Sequence, residues 1–383
     1  MTAGVDERLG AVARLVTAGL RGNPPYHVPQ PVGLRAKLDA NESPYELPPA
    51  LARQLADELA RVPLERYPAA DAGELRAVVA ATLGVPPGHL VFGNGSDELI
   101  SMLCSAFAEP RPGAERARIL YPWPTFVYYR IATVARGLDA IEVPLCEDFR
   151  LDEAAVEAAI ETRRPNLAFF ALPNNPTGTL WPPEWVADLA RRHPDVIVVS
   201  DEAYIAYGGR TLLPQLAELP NLVVMRTLSK VGMAGLRVGA LTAHPLLVTE
   251  LEKVRPPYNL GSLAQRAAAW LLTHGGDWLR ARAAEVAAER PRVAAGLRAL
   301  PGLRVFDSEA NLLMIRVGQA GDGRATRVWE ALRARGILVR TFDRPGDRSH
   351  PLSGCLRITI GTPSENDLLL AALRTVLGSD SPR

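Results

Sequence analysis

Lys230 stands in the stretch Thr227-Leu228-Ser229-Lys230-Val231-Gly232-Met233-Ala234-Gly235-Leu236-Arg237, directly after the apolar run Leu222-Val223-Val224-Met225. A short apolar run of that kind reads as a buried strand. Lysine ionises near ~10.4 and is a poor nucleophile when charged, yet a desolvated or cation-flanked lysine forms Schiff bases. Arg237 offers a planar fork that grips an anion through two hydrogen bonds. A lysine for an aldehyde and an arginine for a phosphate together point to pyridoxal phosphate. Taken alone, the segment also reads as a strand-to-loop turn capped by a lysine, and the rest of the chain must decide.

Four more polar clusters follow apolar runs. Leu90-Val91-Phe92 leads into Gly93-Asn94-Gly95-Ser96-Asp97-Glu98. Small residues between a strand and a helix start cradle an anion with backbone N–H groups and the helix dipole. Ser96 or Asp97 serves equally as an N-cap, and the glycine spacing is neither a dinucleotide fingerprint nor a Walker loop. Ile119-Leu120-Tyr121 runs into Pro122-Trp123-Pro124-Thr125-Phe126, where an aromatic past a strand end stacks on a flat ligand or joins the core. Residues 166–172 stop at Pro173-Asn174-Asn175-Pro176-Thr177-Gly178, and residues 196–200 at Asp201-Glu202-Ala203-Tyr204. Continuous Val/Ile/Leu/Phe runs separated by helical stretches imply an α/β fold with a mostly parallel sheet buried on both faces. Such sheets gather ligand groups at their strand ends. Gly95, Phe126, Asn175, Asp201 and Lys230 therefore belong to one site.

The elements that position them follow from spacing. Helices are expected over residues 5–21, 49–58, 71–83, 262–299, 325–335 and 364–377, with further strands over 304–306, 312–315, 337–340 and 355–361. Glu65-Arg66-Tyr67-Pro68 is irregular, and Tyr67 read alone is a surface or interface packing residue. A chain of 383 residues holds two domains more readily than one. Its 43 basic and 42 acidic residues give a net charge of +1, which speaks against a nucleic-acid or anionic-membrane binder driven by global charge. No apolar run approaches the ~20 residues of a membrane span. Asp6, Glu7 and Arg8 interrupt any signal peptide. Cys104, Cys146 and Cys355 are far apart and odd in number, and the histidines lack ligand spacing, so neither a disulfide framework nor a metal site is expected. The expectation is a soluble cytoplasmic protein.

In this order, the motifs resemble those of the fold type I pyridoxal-phosphate enzymes, the aspartate aminotransferase superfamily, and within it the histidinol-phosphate aminotransferases. Those that carry the likeness are Leu38-Asp39-Ala40-Asn41-Glu42-Ser43-Pro44, Arg66-Tyr67-Pro68, the Gly95 and Asn175 turns, Asp201-Glu202-Ala203-Tyr204, the Lys230 stretch, Arg255-Pro256-Pro257-Tyr258-Asn259 and Leu356-Arg357-Ile358-Thr359-Ile360-Gly361. The resemblance implies a large pyridoxal-phosphate-binding domain over residues 45–260 and a smaller α+β domain built from 1–44 and 261–383. It implies that Lys230 forms the Schiff base and shuttles the substrate proton. Asp201 resembles the carboxylate that keeps the pyridine nitrogen protonated, so that the ring accepts electrons. Asn175 and Tyr204 are similar to the donors to the phenolate oxygen, and Phe126 to the stacking residue. Gly95, Ser96, Asp97, Thr227, Ser229 and Arg237 resemble the phosphate site. Tyr67 resembles the tyrosine lent by the second subunit, which implies a homodimer with shared active sites. Arg357, Arg340, Tyr26 and Asn41 resemble substrate-facing residues. The implied reaction passes an amino group between glutamate and imidazole-acetol phosphate, ping-pong through pyridoxamine phosphate, giving histidinol phosphate and 2-oxoglutarate. An aromatic aminotransferase, a threonine-phosphate decarboxylase and a non-catalytic regulatory relative share much of this pattern.

Overall fold

Strands covered on both faces read as unbroken apolar runs, and Leu167–Ala171 is buried at every position. In the computed structural model, which describes residue 10, residues 12–21 and residues 33–379, that segment lies inside a seven-stranded sheet. In chain order the strands are β1 (Ala36–Leu38), β2 (Leu90–Asn94), β3 (Arg118–Trp123), β4 (Asp139–Pro144), β5 (Leu167–Ala171) and β6 (Ile197–Asp201). They continue with β7 (Leu222–Thr227), β8 (Val238–Ala243), β9 (Leu303–Val305), β10 (Leu312–Val317), β11 (Ile337–Thr341) and β12 (Cys355–Thr359).

The large sheet runs β2-β8-β7-β6-β5-β3-β4. All neighbours from β7 to β4 pair in parallel, while β8 lies antiparallel to both β2 and β7. One reversed strand therefore sets its N-terminal end beside the C-terminal ends of all the others, and every candidate cluster emerges at that edge. Helices Gly95–Ala106, Val127–Ala135 and Pro245–Val254 cover one face through Leu99, Tyr129 and Val248 packed on Phe169 and Val223. Helices Glu153–Arg163 and Pro183–Arg192 cover the other through Ile160 and Val186 packed on Phe170 and Val198. Alternating directions of β5 side chains feed both cores, as the two-residue period requires.

The second sheet runs β1-β11-β12-β10-β9. Its apolar face, including Leu313 and Ile315, packs on helix Gly276–Arg298 through Val286 and Val293 and on helix Pro363–Ser379 through Leu369 and Leu373. Helix Ser262–His274 belongs instead with helix Gly73–Leu83, against Phe92 and Val238 of the large sheet. The single helix expected over 262–299 is thus two. The break falls at Gly275, whose backbone leaves the helical region at φ −110°, ψ 1°. A side chain there would meet the Leu271 carbonyl oxygen at 3.0 Å and Leu51 at 3.2 Å.

The helix expected over 5–21 is not continuous where it is described. Residues 14 and 15 form a turn and Ala18–Leu20 a short 3-10 segment. The expected apolar stripe is Leu9, Val12, Val16 and Leu20; Leu9 lies outside the described residues, and Val12 and Val16 are exposed, so that stripe buries little to hold a helix. Strands β1, β4 and β8 had no sequence reading. β1 has only three residues, and β4 interleaves Asp139 and Glu142 with its apolar positions.

Gly239 of β8 pairs with Gly93 of β2 and lies against the turn at Gly95. A Cβ on Gly239 would sit 2.7 Å from the Gly95 carbonyl carbon and 2.8 Å from its oxygen, both backbone atoms with little freedom to move. Gly239→Ala is expected to destabilise the protein by about 1–3 kcal/mol. The check is the denaturant midpoint, and an unchanged midpoint would contradict the close approach.

Candidate active site

Asp201 is the last residue of β6, and the backbone places its carboxylate at the sheet edge beside the end of β7. Its Oδ2 accepts a hydrogen bond from the Tyr129 hydroxyl at 2.7 Å and its Oδ1 one from the Ala203 amide at 3.1 Å. Burial pushes its pKa up from 3.8 to about 6, against the opposing pull of these two donors. Lys230 lies in the 3-10 turn Leu228–Val231 that follows β7, and Thr227 caps this turn by accepting from the Ser229 amide at 3.2 Å. The Lys230 Nζ donates to the Ala40 carbonyl at 3.3 Å and sits 5.7 Å from the centre of the Tyr204 ring. Tyr204 in turn accepts from Asn41 Nδ2 at 2.9 Å. Asn41 is buried, adopts φ 55°, and is fixed by Thr359 of β12 and by Asn311, which precedes β10. The lysine is thus held between the N-terminal loop and the β6 turn.

The anion cradle is formed around a second close approach. Arg237, at φ 53°, donates to Ser229 Oγ and to Asp97 Oδ2, both at 3.2 Å. Thr227 Oγ1 donates to Ser229 Oγ at 3.0 Å. Gly95 has φ 75°, a conformation that favours glycine, and a Cβ on it would lie 2.5 Å from Arg237 Nη2, so a side chain there would push the guanidinium aside. Helix Gly95–Ala106 starts at this point and presents its first-turn amides and positive dipole end. Asn94, not Ser96 or Asp97, is the N-cap, and it makes no side-chain cap bond. The N-cap reading of Ser96 and Asp97 is therefore set aside. Burial raises the Asp97 pKa, opposed by Arg237 and Lys230.

One cavity is lined by Ser96, Asp97, Phe126, Asn175, Asp201, Tyr204, Thr227, Ser229, Lys230 and Arg237. It joins an amine, a buried carboxylate, an anion cradle and an aromatic face, a set that matches the parts of pyridoxal phosphate. A second cavity shares Phe126 and Asn175 and adds Arg340, Arg357, Trp123 and His350. Arg340 and Arg357 stand opposite each other on β11 and β12, and both lie near the Phe342 ring. Arg357 donates to Asn175 Oδ1 at 2.6 Å and to the Asp39 carbonyl. Tyr67 is not part of either cavity in a single chain. It is 81% exposed and stacked on Tyr258 with ring centres 4.7 Å apart. Tyr26 lies outside the described residues. Among the described residues no group of three or more His, Cys, Asp and Glu side chains is placed to hold a metal.

Sequence reasoning missed three features. Tyr129, buried against Asp201, lies one helical turn after Phe126, an i,i+3 spacing that could have flagged it. His350 meets Trp123 edge-on at 5.1 Å at the rim of the second cavity. Glu202, fully buried, is gripped by Arg226 at 2.9 and 3.1 Å and by Thr211, which ties β6 to β7 behind the site.

The chain belongs to the aminotransferase class I and II family, whose sequence model matches residues 36–373. Within that family its relatives are histidinol-phosphate aminotransferases. Histidinol-phosphate aminotransferase 2 of Bordetella bronchiseptica is 43% identical over 370 residues, covering 96% of this chain and 98% of that protein. The enzyme of Methylibium petroleiphilum is 42% identical over 371 residues, covering 96% and 95%. The solved structure of histidinol-phosphate aminotransferase from Sinorhizobium meliloti in complex with pyridoxal-5'-phosphate superposes with a TM-score of 0.80 at 26% identity, covering 91% of this chain and 92% of that one. The resemblance drawn from the motifs and the α/β fold it implied are borne out.

The buried carboxylate has a consequence for stability without cofactor. A folded-state pKa raised above the unfolded value favours folding at low pH, and that contribution is lost as pH rises from about 3.8 through about 6. At neutral pH the ionised Asp201 then costs about 3 kcal/mol, at ~1.36 kcal/mol per unit. Cofactor-free Asp201→Asn is expected to be more stable than the parent at pH 7.5, by up to that amount, with the gap closing below pH ~4. Denaturant titrations at several pH values test it; a gap that does not change with pH would contradict the burial argument.

Proposed function

We propose that this chain is a pyridoxal-phosphate-dependent aminotransferase of histidine biosynthesis, exchanging an amino group between L-glutamate and imidazole-acetol phosphate to give L-histidinol phosphate and 2-oxoglutarate. The observation that carries the reading is the shared wall of the two cavities. Phe126 and Asn175 face both the Lys230 pocket and the pocket of Arg340 and Arg357. A substrate with an amine at one end and anionic groups at the other fits that arrangement, because paired arginines suit carboxylate and phosphate oxygens. The identity with histidinol-phosphate aminotransferases along nearly the whole chain supports the same substrate.

The residues present fit pyridoxal phosphate, as the left-handed Gly95 turn beside Arg237 and the buried Asp201 indicate. Lys230 would hold its aldehyde carbon, Asp201 its ring nitrogen, Phe126 its face, and Asn175 and Tyr204 its phenolic oxygen. Gly95, Ser96, Asp97, Thr227, Ser229 and Arg237 would hold its phosphate. When bound, the group supplies a carbonyl that joins amines and a ring that takes up the electrons freed at the substrate's α carbon. Lys230 Nζ, once released, moves the proton from that carbon. Asp201, kept from water, holds a proton on the ring nitrogen. Arg357 and Arg340 orient the substrate anions, and Asn41 fixes Tyr204 by its hydrogen bond. Tyr26 joins this substrate-facing set in the proposal.

We also propose a division of labour along the chain, with residues 45–260 binding the cofactor and 1–44 with 261–383 forming the second unit. The two separate sheets support it, with helix Ser262–His274 reaching back onto the large one. A homodimer is proposed as the working form. An aromatic pair as exposed as Tyr67 and Tyr258 is the kind of surface a second copy covers, and it would bring Tyr67 to the partner's phosphate site. Cytoplasmic placement is proposed from the biosynthetic role. No helix among the described residues is long and apolar enough to cross a membrane.

Cofactor-loaded protein mixed separately with histidinol phosphate, phenylalanine and threonine phosphate tests the substrate. Histidinol phosphate is expected to discharge the visible cofactor band fastest. Discharge by phenylalanine alone would overturn the substrate assignment, and carbon dioxide release from threonine phosphate would replace it with a decarboxylase. Lys230→Ala is expected to lose at least ~10²-fold in turnover. Mixed with Tyr67→Ala, it should regain activity, because hybrid dimers contain one site with both native residues. No regain on subunit exchange would argue against the shared site.

A further inference from the structure

The proposed chemistry leaves one buried titratable side chain at the site without a task. Tyr129, in helix Val127–Ala135, is completely buried, and its hydroxyl lies 2.7 Å from Asp201 Oδ2. An ionised carboxylate has no proton to give, so the phenol is the donor. Three contacts hold the ring. It stacks on Phe169 of β5 at 4.8 Å and 16°, meets Phe126 edge-on at 5.6 Å and 90°, and leans on Tyr121 of β3 at 6.2 Å. These contacts surround the ring that carries the hydroxyl. Asp201 Oδ1 is meanwhile held by the Ala203 amide. With one donor on each oxygen, the carboxylate is held from behind while Asp201 lines the cavity.

We propose that Tyr129 is a positioning residue: its hydroxyl keeps Asp201 ionised and oriented toward the cofactor's ring nitrogen, and its ring edge braces Phe126 against the cofactor's face. The inference rests on the pyridoxal-phosphate reading of the Lys230 cavity. Two properties suit Tyr129 to the role. Burial and the neighbouring carboxylate push its own pKa well above the usual tyrosine value, so it remains a donor across the working pH range. Its bond also opposes the rise that burial imposes on Asp201. Without the bond the carboxylate becomes a stronger base, and the shared proton moves from the ring nitrogen toward Asp201. A less positive ring nitrogen lets the lysine-linked nitrogen hold its own proton to higher pH.

Tyr129→Phe keeps the ring contacts and removes only the hydroxyl. In cofactor-loaded protein, the pH midpoint of the visible band is expected to rise by about one unit. The dissociation constant for the cofactor should increase about tenfold, in keeping with the loss of a hydrogen bond to a charged group. The kcat should fall while KM for both substrates stays nearly constant, because Tyr129 touches neither. Phe169→Leu disturbs the stack and leaves the hydroxyl, so it should lower the unfolding midpoint and move the band by clearly less than Tyr129→Phe does. Introduction of 3,5-difluorotyrosine at position 129, a stronger donor of similar shape, should move the midpoint downward, and it decides the matter if Tyr129→Phe does not fold. An unmoved midpoint in folded Tyr129→Phe, or in the fluorinated protein, overturns the inference while the cofactor reading stands. Equal shifts in Phe169→Leu and Tyr129→Phe overturn it in favour of packing alone. Absence of any visible band in the unsubstituted protein overturns the cofactor reading and the inference together.

Discussion

A carboxylate sealed from water is unfavourable unless something positive or hydrogen-bonding answers it. Asp201 is answered from behind by Tyr129 and Ala203 and from the cavity side by whatever binds there. Much of the architecture can be read as the means of holding this charge. The parallel run of β strands brings it to an edge, both faces of the sheet exclude water from it, and Glu202 is neutralised by Arg226 next to it. The neighbouring Asp97 is held to Arg237. The site is therefore strongly polarised before any ligand arrives, with a carboxylate at one end and an arginine-lined cradle at the other.

The reversed strand β8 is the second device. Because it runs against β2 and β7, its first residues follow Arg237 into the same edge where β2 gives way to the helix at Gly95. Gly239, Gly95 and the Arg237 guanidinium then occupy one crowded point, with backbone where side chains would otherwise be. The close approach of Gly239 to the Gly95 backbone adds to the hydrogen bonds of Arg237 in setting the shape of the cradle.

Much of this was legible in the sequence, for a physical reason. Strands buried on two faces announce themselves as apolar runs, so β5, β6 and β7 and the polar residues just past them could be read directly. Lys230, Asp201, Asn175 and the Gly95 turn fell out of that pattern. β4 and β1 did not, because a strand near the edge alternates or is too short to show a period. β8 was hidden by its glycine and by the motif that precedes it. Tyr129 was invisible for a different reason: its partner lies far along the chain, and a buried tyrosine in an apolar helix looks like core until the fold sets it against a charge. Tyr67 shows the reverse case. It carries a motif, yet in one chain it lies on the surface, so its reading depends on an assembly that a lone sequence does not describe.

The Arg357 guanidinium reaches from the five-stranded sheet to Asn175 at the edge of the seven-stranded one. The same guanidinium also holds the Asp39 carbonyl at the start of the chain's site-facing loop, so one side chain joins three separate parts of the fold. Loss of that side chain would therefore remove a tie between the two sheets as well as a positive charge from the second cavity. The five-stranded sheet thereby helps fix Asn175, a residue of the wall that both cavities share.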